Sequence, residues 1–464
     1  MSNSTRRHSR IAFLFPGQGA QQAGLAQDLY DSSPTYAKAF DECLDLFEAA
    51  DLPLRRWWRG DGQPALRYPR GALSLTFALE YALARTWQSW GITPDAVLGL
   101  SIGEMAAGLL ADVFTLDEVV PAIAIRAQAL EDSPPGGMIA VSASRDEVVP
   151  LLPDDVWLAV HSGPRQLVVS GAGGPLAEAT GILERAGLSC YPVPTTHAAH
   201  CPLLAPAVPV FDRAVRELRL RPPTIDFYSA GTGRLVSADE AVDPGFWSRQ
   251  LAQPVLFADA VDALTDTADR LLLVEVGPGQ TLSKLLRRHP AVVAGRHRAV
   301  PTLAHRPVEP LAQVRSALAA VAQLQAEGLA VDPAELAGLD DIGPAAQPAH
   351  PDRQHAESAP VHAAAVTAEA QSSEPPAAAD DPTAEPDGAS ATVTDRLRRL
   401  WTEVLVEDDI AEDADFFDLG GNSLTAMDLM AKVRAEFDVD LGVVTLFDHS
   451  TLDALAGQIE RRGG

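Results

Sequence analysis

A chain of 464 residues, 47% of them hydrophobic, is long enough for two to four domains with real cores. Its formal net charge of −27 argues against nucleic acid or an anionic membrane as partner and favours cationic patches on other proteins. Three scattered cysteines (Cys43, Cys190, Cys201) supply neither a disulfide framework nor a zinc site, so no metal is expected.

From Ile11 to about Ala330, apolar strand-like runs alternate with helical patterns, which implies an α/β class. The first strand, Ile11–Phe15, runs into a glycine-containing loop, Pro16-Gly17-Gln18-Gly19-Ala20-Gln21. The second, Ala96–Leu100, leads into Gly99-Leu100-Ser101-Ile102-Gly103-Glu104, and Met105–Ala111 is small and apolar enough to open a helix packed on a sheet. A serine on such a strand-to-helix turn is the nucleophile elbow of acyl-transferring enzymes. Its flanking glycines allow the tight turn, and the first helical amides point at an oxyanion forming on the attacked carbonyl.

A self-contained unit follows: strand Met138–Ser142, helix Arg145–Leu152, strands Val156–Val160 and Gln166–Ser170, helix Pro175–Ala186 and strand Cys190–Val193. This βαββαβ order is the ferredoxin-like arrangement, inserted in the larger domain. Strand Leu271–Val276 closes the α/β region.

From about Gly343 to Thr394 the composition turns to Ala, Pro, Glu, Asp and Ser without periodicity, which predicts a disordered linker. Helical periodicity returns from Asp395, in a region where 16 acidic residues face 7 basic ones. There Ser423 opens a helix, with Leu424, Met427, Met430, Ala431 and Phe437 predicted as its apolar stripe. A serine at a helix start offers an accessible hydroxyl where the dipole favours an attached phosphate. No apolar run in the chain reaches the roughly 18 residues of a membrane span, and no signal-peptide core follows the N-terminal residues, so a soluble cytoplasmic protein is expected.

Two family resemblances sharpen these readings. Asp415-Phe-Phe-Asp-Leu-Gly-Gly-Asn-Ser-Leu424 resembles the phosphopantetheine attachment motif of acyl and peptidyl carrier proteins, which implies a 4′-phosphopantetheine covalently bound to Ser423. Its Gly-Gly-Asn-Ser form is closer to carriers of nonribosomal peptide synthetases than to the usual polyketide form. The region from Ile11 to Leu329 resembles the malonyl-CoA:carrier-protein transacylases and the acyltransferase domains of polyketide synthases. By that resemblance the amides of Gln18 and Ile102 form the oxyanion hole, and Arg126, in an apolar stretch, holds the free carboxylate of a malonyl group through parallel hydrogen bonds. His197-Ala198-Ala199-His200 resembles the family's His-Ala-Phe-His segment, so His200 is the expected base toward Ser101, while His197 and Ala199 belong to the selectivity motif. Leu251–Val255 resembles the segment whose backbone carbonyl orients the histidine, and Glu275-Val-Gly-Pro-Gly279 a structural turn.

The resemblance implies an acyltransferase fold over residues 1–333, with an α/β-hydrolase-like large subdomain and a ferredoxin-like small subdomain at about 134–197. A disordered linker follows at 334–394 and a small all-α helical-bundle carrier domain at 395–464. The expected activity moves a malonyl-type acyl group from acyl-CoA through an acyl-Ser101 ester to a phosphopantetheine thiol, on Ser423 or on a separate carrier. Such a freestanding acyltransferase–carrier didomain implies as partners a phosphopantetheinyl transferase and modules of polyketide or nonribosomal peptide synthases. Leu100, Ala199 and His161-Ser162-Gly163-Pro164 depart from the family pattern and leave the acyl group open. The rival readings are a hydrolase clearing stalled carriers, a carrier-to-carrier transferase and a non-catalytic scaffold.

Overall fold

The structure, a computed structural model, describes residues 9–61, 63–304, 311–336, 392–405, 410–412, 414–416, 419, 423–439, 441–442, 445–446 and 449–463. Most of the linker expected over 334–394 lies outside the described residues.

Ten strands are described: β1 (Arg10–Phe15), β2 (Ala96–Gly99), β3 (Gly137–Val141), β4 (Val156–Gly163), β5 (Gln166–Gly171), β6 (Cys190–Pro192), β7 (Asp226–Ser229), β8 (Arg234–Leu235), β9 (Leu271–Glu275) and β10 (Arg298–Pro301). Six of them form one sheet in the order β10-β9-β1-β2-β7-β8, parallel except for the β7–β8 pair. A parallel sheet is covered on both faces, which explains why its central strands are apolar at successive positions rather than alternating with polar residues. Phe13 and Phe15 point into a core shared with Phe47, Phe77 and Ile123, whereas Ala12 and Leu14 face Phe257, Leu264 and Leu282.

The inserted unit is a four-stranded antiparallel sheet in the order β4-β5-β3-β6, so its βαββαβ chain order has ferredoxin-like topology. Its first helix is shorter than the sequence suggests. Arg145–Val148 makes one α-turn on a Ser144–Glu147 capping box, then Pro150 draws Val149–Leu151 into a 3-10 turn. One face packs on the helix Gly173–Arg185; the other, with Met138, Ala140 and Val168, turns toward Val160, Tyr191 and Ala199.

Ala334–Leu336, expected as the linker's start, instead packs on the α/β region: Leu336 is buried, and Glu335 accepts from Ser33 Oγ (2.7 Å) and Trp90 Nε1 (2.8 Å). In the C-terminal region the helices Val393–Leu405, Ser423–Phe437 and Leu452–Gly463 enclose a separate core of Leu397, Trp401, Phe416, Leu429, Val433, Leu455 and Ile459. Trp401 and Phe416 meet edge to face at 5.2 Å. The middle helix buries Ala426, Leu429, Met430 and Val433, so the predicted stripe is rotated from the observed one. Only Met430 is common to both among the described side chains; Ala431 and Phe437 are half-buried, the latter beneath Arg396, and Leu424 and Met427 lie outside the described side chains. Arg288, after the helix Thr281–Arg287, reaches this region, donating to the Val404 carbonyl (3.0 Å) and the Asp428 carboxylate (3.2 Å).

Candidate active site

β2 ends at Gly99 and the helix Gly103–Leu110 starts four residues later, leaving Ser101 on the turn between them with φ 58°. A left-handed backbone at a non-glycine residue costs energy and persists where the surroundings hold it. They do so tightly here. A Cβ on Gly99 would lie 2.2 Å from the Glu104 nitrogen, and one on Gly103 would lie 2.4 Å from the Phe15 carbonyl oxygen. Both elbow glycines are therefore required by close approach. The Leu100 amide donates to Phe15 O (2.9 Å), tying the elbow to the end of β1.

The loop after β1 lies beside the serine. A Cβ on Gly17 would lie 2.8 Å from Leu100 Cδ2 and 3.7 Å from Ser101 Cβ, and the next residue, Gln18, is exposed. Ile102, buried behind Ser101, makes no main-chain hydrogen bond through its amide among the described residues. These are the two residues expected to offer the oxyanion donors.

His200 arrives from the loop that leaves the small sheet, and it too has a left-handed backbone, φ 57°. Its Nε2 is 2.8 Å from Ser101 Oγ and its Nδ1 is 3.1 Å from the Gln250 carbonyl. An acceptor at Nδ1 places the ring proton there, leaving Nε2 to accept from the serine. Burial, and then the positive charge of Arg126, push the imidazole down to about 4, against the pull of the Gln250 and Gln253 main chain. His200 is therefore neutral and able to take a proton at physiological pH. The orienting carbonyl belongs to Gln250, the residue immediately before the segment Leu251–Val255 that the sequence pointed to. The Gln253 main chain, inside that segment, also pulls on the ring, and the segment serves the interface as well: Val255 exchanges main-chain hydrogen bonds with Ala159 and His161 of β4, and His161 Nδ1 meets Asp259 at 2.8 Å.

Arg126 lies on the helix Leu116–Glu131, which begins on a Thr115–Glu118 capping box. The side chain is 1% exposed, its guanidinium carbon is 5.6 Å from the Phe211 ring centre, and its Nε and Nη1 have no partner among the described residues. Burial brings it down to about 10, which leaves it charged. A buried guanidinium with two unpaired donors suits a carboxylate.

His197 and Ala199 do not join the Ser101–His200 pair. His197 is held by Thr196 Oγ1 (2.8 Å) and the Glu131 carbonyl (3.2 Å), while the Ala199 carbonyl accepts from Ser170 Oγ (2.9 Å). Both fasten the histidine loop, His197 to the end of the Arg126 helix and Ala199 to the small sheet. Ala199 also packs against the large core, so its side chain borders both subdomains. Glu275 is structural, as expected: it accepts from the Leu282 (3.0 Å) and Ser283 (2.7 Å) amides, capping their helix.

Two residues of the site had no assigned part in the sequence reading. Glu104, 1% exposed, accepts from Ser229 Oγ (3.0 Å), the Gly231 amide (2.6 Å) and Gln250 Nε2. The elbow hexapeptide displays Glu104, but its partners lie more than a hundred residues away in sequence. Gln250 acts on His200 through its backbone, one residue before the segment whose resemblance pointed to an orienting carbonyl.

Ser423 is the first residue of its helix, as predicted; its side chain, and Phe417, Asp418 and Gly420–Asn422 of the attachment motif, lie outside the described residues. Asp415 and Phe416 anchor the start of that motif, with the Asp415 carboxylate accepting from Ser450 Oγ and the Phe416 amide donating to Ser450 O (2.7 Å). No helix among the described residues is long and apolar enough to cross a membrane, and no group of three His, Cys, Asp or Glu among them is arranged to hold a metal.

Residues 12–331 match the family described as acyl transferase domain, and residues 395–459 match the phosphopantetheine attachment site. A phenolphthiocerol/phthiocerol polyketide synthase of Mycobacterium tuberculosis is 33% identical over 97% of this chain and 30% of its own length. Polyketide synthase GfsA of Streptomyces halstedii is also 33% identical, over 95% of this chain and 6% of its own. The chain thus spans under a third of the length of these curated relatives. Among solved structures, the acyl transferase domain of SpnD in complex with 2-(pent-4-yn-1-yl)malonyl superposes with a TM-score of 0.65 at 31% identity, covering 70% of this chain and 78% of that one. The acyltransferase domain from the second module of the salinomycin polyketide synthase gives 0.65 at 33% identity, with 72% and 77% covered.

Proposed function

This chain belongs to the acyl transferase domain family and carries a phosphopantetheine attachment domain; from that premise we propose that it loads a malonyl-type acyl group from acyl-CoA onto a carrier thiol through an ester on Ser101. The observation that carries the proposal is the 2.8 Å contact between Ser101 Oγ and a neutral, buried His200. His200 Nε2 takes the hydroxyl proton as Ser101 Oγ attacks the thioester carbonyl, and the amides of Gln18 and Ile102 hold the oxyanion. Collapse breaks the carbon–sulfur bond, and His200 returns the proton to the departing CoA sulfur, leaving acyl-Ser101. In the second half, His200 accepts the incoming thiol's proton and delivers it to Ser101 Oγ as the ester breaks.

Ser423, at a helix start whose dipole favours a phosphate, is the attachment residue in this reading. Bound there, the phosphopantetheine arm supplies the thiol nucleophile and a thioester to carry the acyl group. Arg126 selects donors with a distal carboxylate, and a carboxylate seated there also offsets the charge that holds His200 down, strengthening the base once substrate is in place. The SpnD domain's substituted malonyl ligand supports a pocket with room at the α-carbon, which Ala199 provides where a Phe would narrow it. The Arg288 contact with Val404 and Asp428 favours the carrier of this chain as acceptor over a separate one.

The boundaries that go with this reading are an acyltransferase over 1–336 with its small subdomain at about 134–197, a linker from 337 to about 391 and a carrier over 392–464. Its setting is the cytoplasm, with a phosphopantetheinyl transferase and polyketide or mixed polyketide–peptide modules as partners. Intact-mass measurement of the phosphopantetheinylated chain, after incubation with a panel of acyl-CoAs, tests it. Malonyl-type increments on both Ser101 and the arm are expected. Preference for acetyl or long neutral acyl groups would overturn the clamp and favour hydrolysis or carrier-to-carrier transfer.

A further inference from the structure

We propose that Glu104 is the positioning residue of the acyl-transfer base: its buried carboxylate tethers the Gln250 side chain and thereby fixes the main-chain carbonyl that aligns His200. The inference rests on the Ser101–His200 assignment above. Glu104 stands three residues after the nucleophile, in the first turn of the elbow helix, so its position is set by the same backbone that sets Ser101. Gln250 opens a 3-10 turn, Gln250–Ala252, in a separate stretch of chain. One residue thus presents its carbonyl to His200 Nδ1 and its side-chain amide to Glu104. Gln250 Oε1 is buried without a partner among the described residues, so the polar anchorage of this side chain runs through Nε2 and Glu104 alone. A peptide plane held from one side chain aligns a ring better than one free to librate, and sub-ångström misplacement of a catalytic group is costly.

The surroundings favour the anion. Ser229 Oγ, the Gly231 amide and Gln250 Nε2 all donate to Glu104. The charged groups facing it are Arg126, on the packed helix Leu116–Glu131, and, across Gln250, the titratable His200; β7 and the loop after it supply donors without charge. Burial works against ionisation and pushes Glu104 up to about 7, with those hydrogen bonds and Arg126 opposing. Glu104 is thus protonated below about pH 7 and ionised above it, while His200 stays neutral down to about pH 4. The tether weakens as its acceptor loses charge, because a charge-assisted hydrogen bond is roughly twice as strong as a neutral one.

The experiment follows the pre-steady-state rate of acyl-Ser101 formation from malonyl-CoA in the full chain, from pH 5.5 to 8.5, with thermal melting recorded alongside. The wild-type rate should rise through about pH 7 as the tether forms. Glu104→Gln should be about tenfold slower at pH 8, with KM little changed, and its profile should be flat across neutrality. It should also melt no lower than wild type at pH 8. A buried carboxylate whose folded pKa is raised loses folding stability as pH rises from the unfolded value to the folded one, and the amide escapes that loss. Gln250→Ala removes the tether from its other end and should give the same slow, flat profile with Glu104 intact. Wild-type rates with an unchanged profile in both variants, or a rate loss that tracks a fall in melting temperature, would overturn the inference. Acyl-enzyme formation that survives Ser101→Ala or His200→Ala would instead sink the underlying dyad.

Discussion

The acyltransferase region and the carrier region solve opposite problems with the same element, a serine at the start of a helix. Ser101 is locked in place, with a left-handed backbone, two glycines that admit no side chain, a histidine at 2.8 Å and a buried shell of Glu104, Gln250 and Arg126 around it. Ser423 opens a helix of a small domain whose own core is separate and which Arg288 ties to the acyltransferase region. In the proposed reading, Ser101 as a nucleophile needs preorganisation to reach its transition state, whereas Ser423 as the anchor of a long arm needs to be presented. The difference teaches that the chemistry resides in the first region and the delivery in the second.

Separating the two serines tests that division most severely. Ser101→Ala should abolish both acyl-enzyme and self-loading from malonyl-CoA, by several orders of magnitude, because removing the nucleophile removes the covalent route. Ser423→Ala should leave the acyl-enzyme untouched and eliminate the phosphopantetheine mass increment altogether. Intact-mass spectra of both variants decide the point, and loading that persists in Ser101→Ala would end the comparison.

Arg126→Ala sharpens the first half. A hydrogen bond to a charged group contributes on the order of 1.5–3 kcal/mol, a tenfold to hundredfold preference. The variant should lose that preference for malonyl-type donors while sparing or improving acetyl loading, measured as competing acyl-CoA increments on Ser101. In the same assay, wild type should accept methylmalonyl- and ethylmalonyl-CoA alongside malonyl-CoA. Strict confinement to unbranched malonyl would leave the clamp standing and remove the role of Ala199.

Legibility in the sequence followed the same divide. Ser101 and the two glycines could be read because the elbow needs those residue types at fixed offsets, and β1, β2 and β9 because a strand covered on both faces is apolar throughout. Gln250 could be read only to within one residue, from the segment Leu251–Val255 beside it, since its contribution is a carbonyl that every residue owns. Glu104 was visible as a letter, but its meaning depends on Ser229, Gly231 and Gln250, which only the fold brings together. The one-turn helix at Arg145–Val148 was overestimated because periodicity ignored Pro150. In the carrier helix, the observed stripe of Ala426, Leu429, Met430 and Val433 departs from the predicted one because tertiary packing, with Trp401 and Phe416 at its centre, chose the buried face.

The smallest expected effect lies at the Arg288 bridge between the regions. Arg288 and Asp428 are about one-third exposed, 32% and 29%, and partly exposed ion pairs contribute about 0.2–1 kcal/mol. Arg288→Glu should therefore slow self-loading of the phosphopantetheinylated chain only about two- to fivefold at low salt, with acyl-Ser101 formation unchanged. Asp428 stands five residues into the helix after Ser423, about 7.5 Å along its axis, so the pair can set the direction from which the arm approaches. Reversing both charges, Arg288→Asp with Asp428→Arg, should recover part of the loss, whereas either change alone should not. The wild-type advantage should also fade as salt rises above about 0.1 M, where the screening length drops to about 10 Å. Full phosphopantetheinylation of each variant, checked by mass beforehand, keeps a defect in arm attachment from passing as a defect in docking. Equal self-loading by wild type and Arg288→Glu at every salt concentration would mean that the bridge carries no part of delivery, and that a separate carrier serves as well as the attached one.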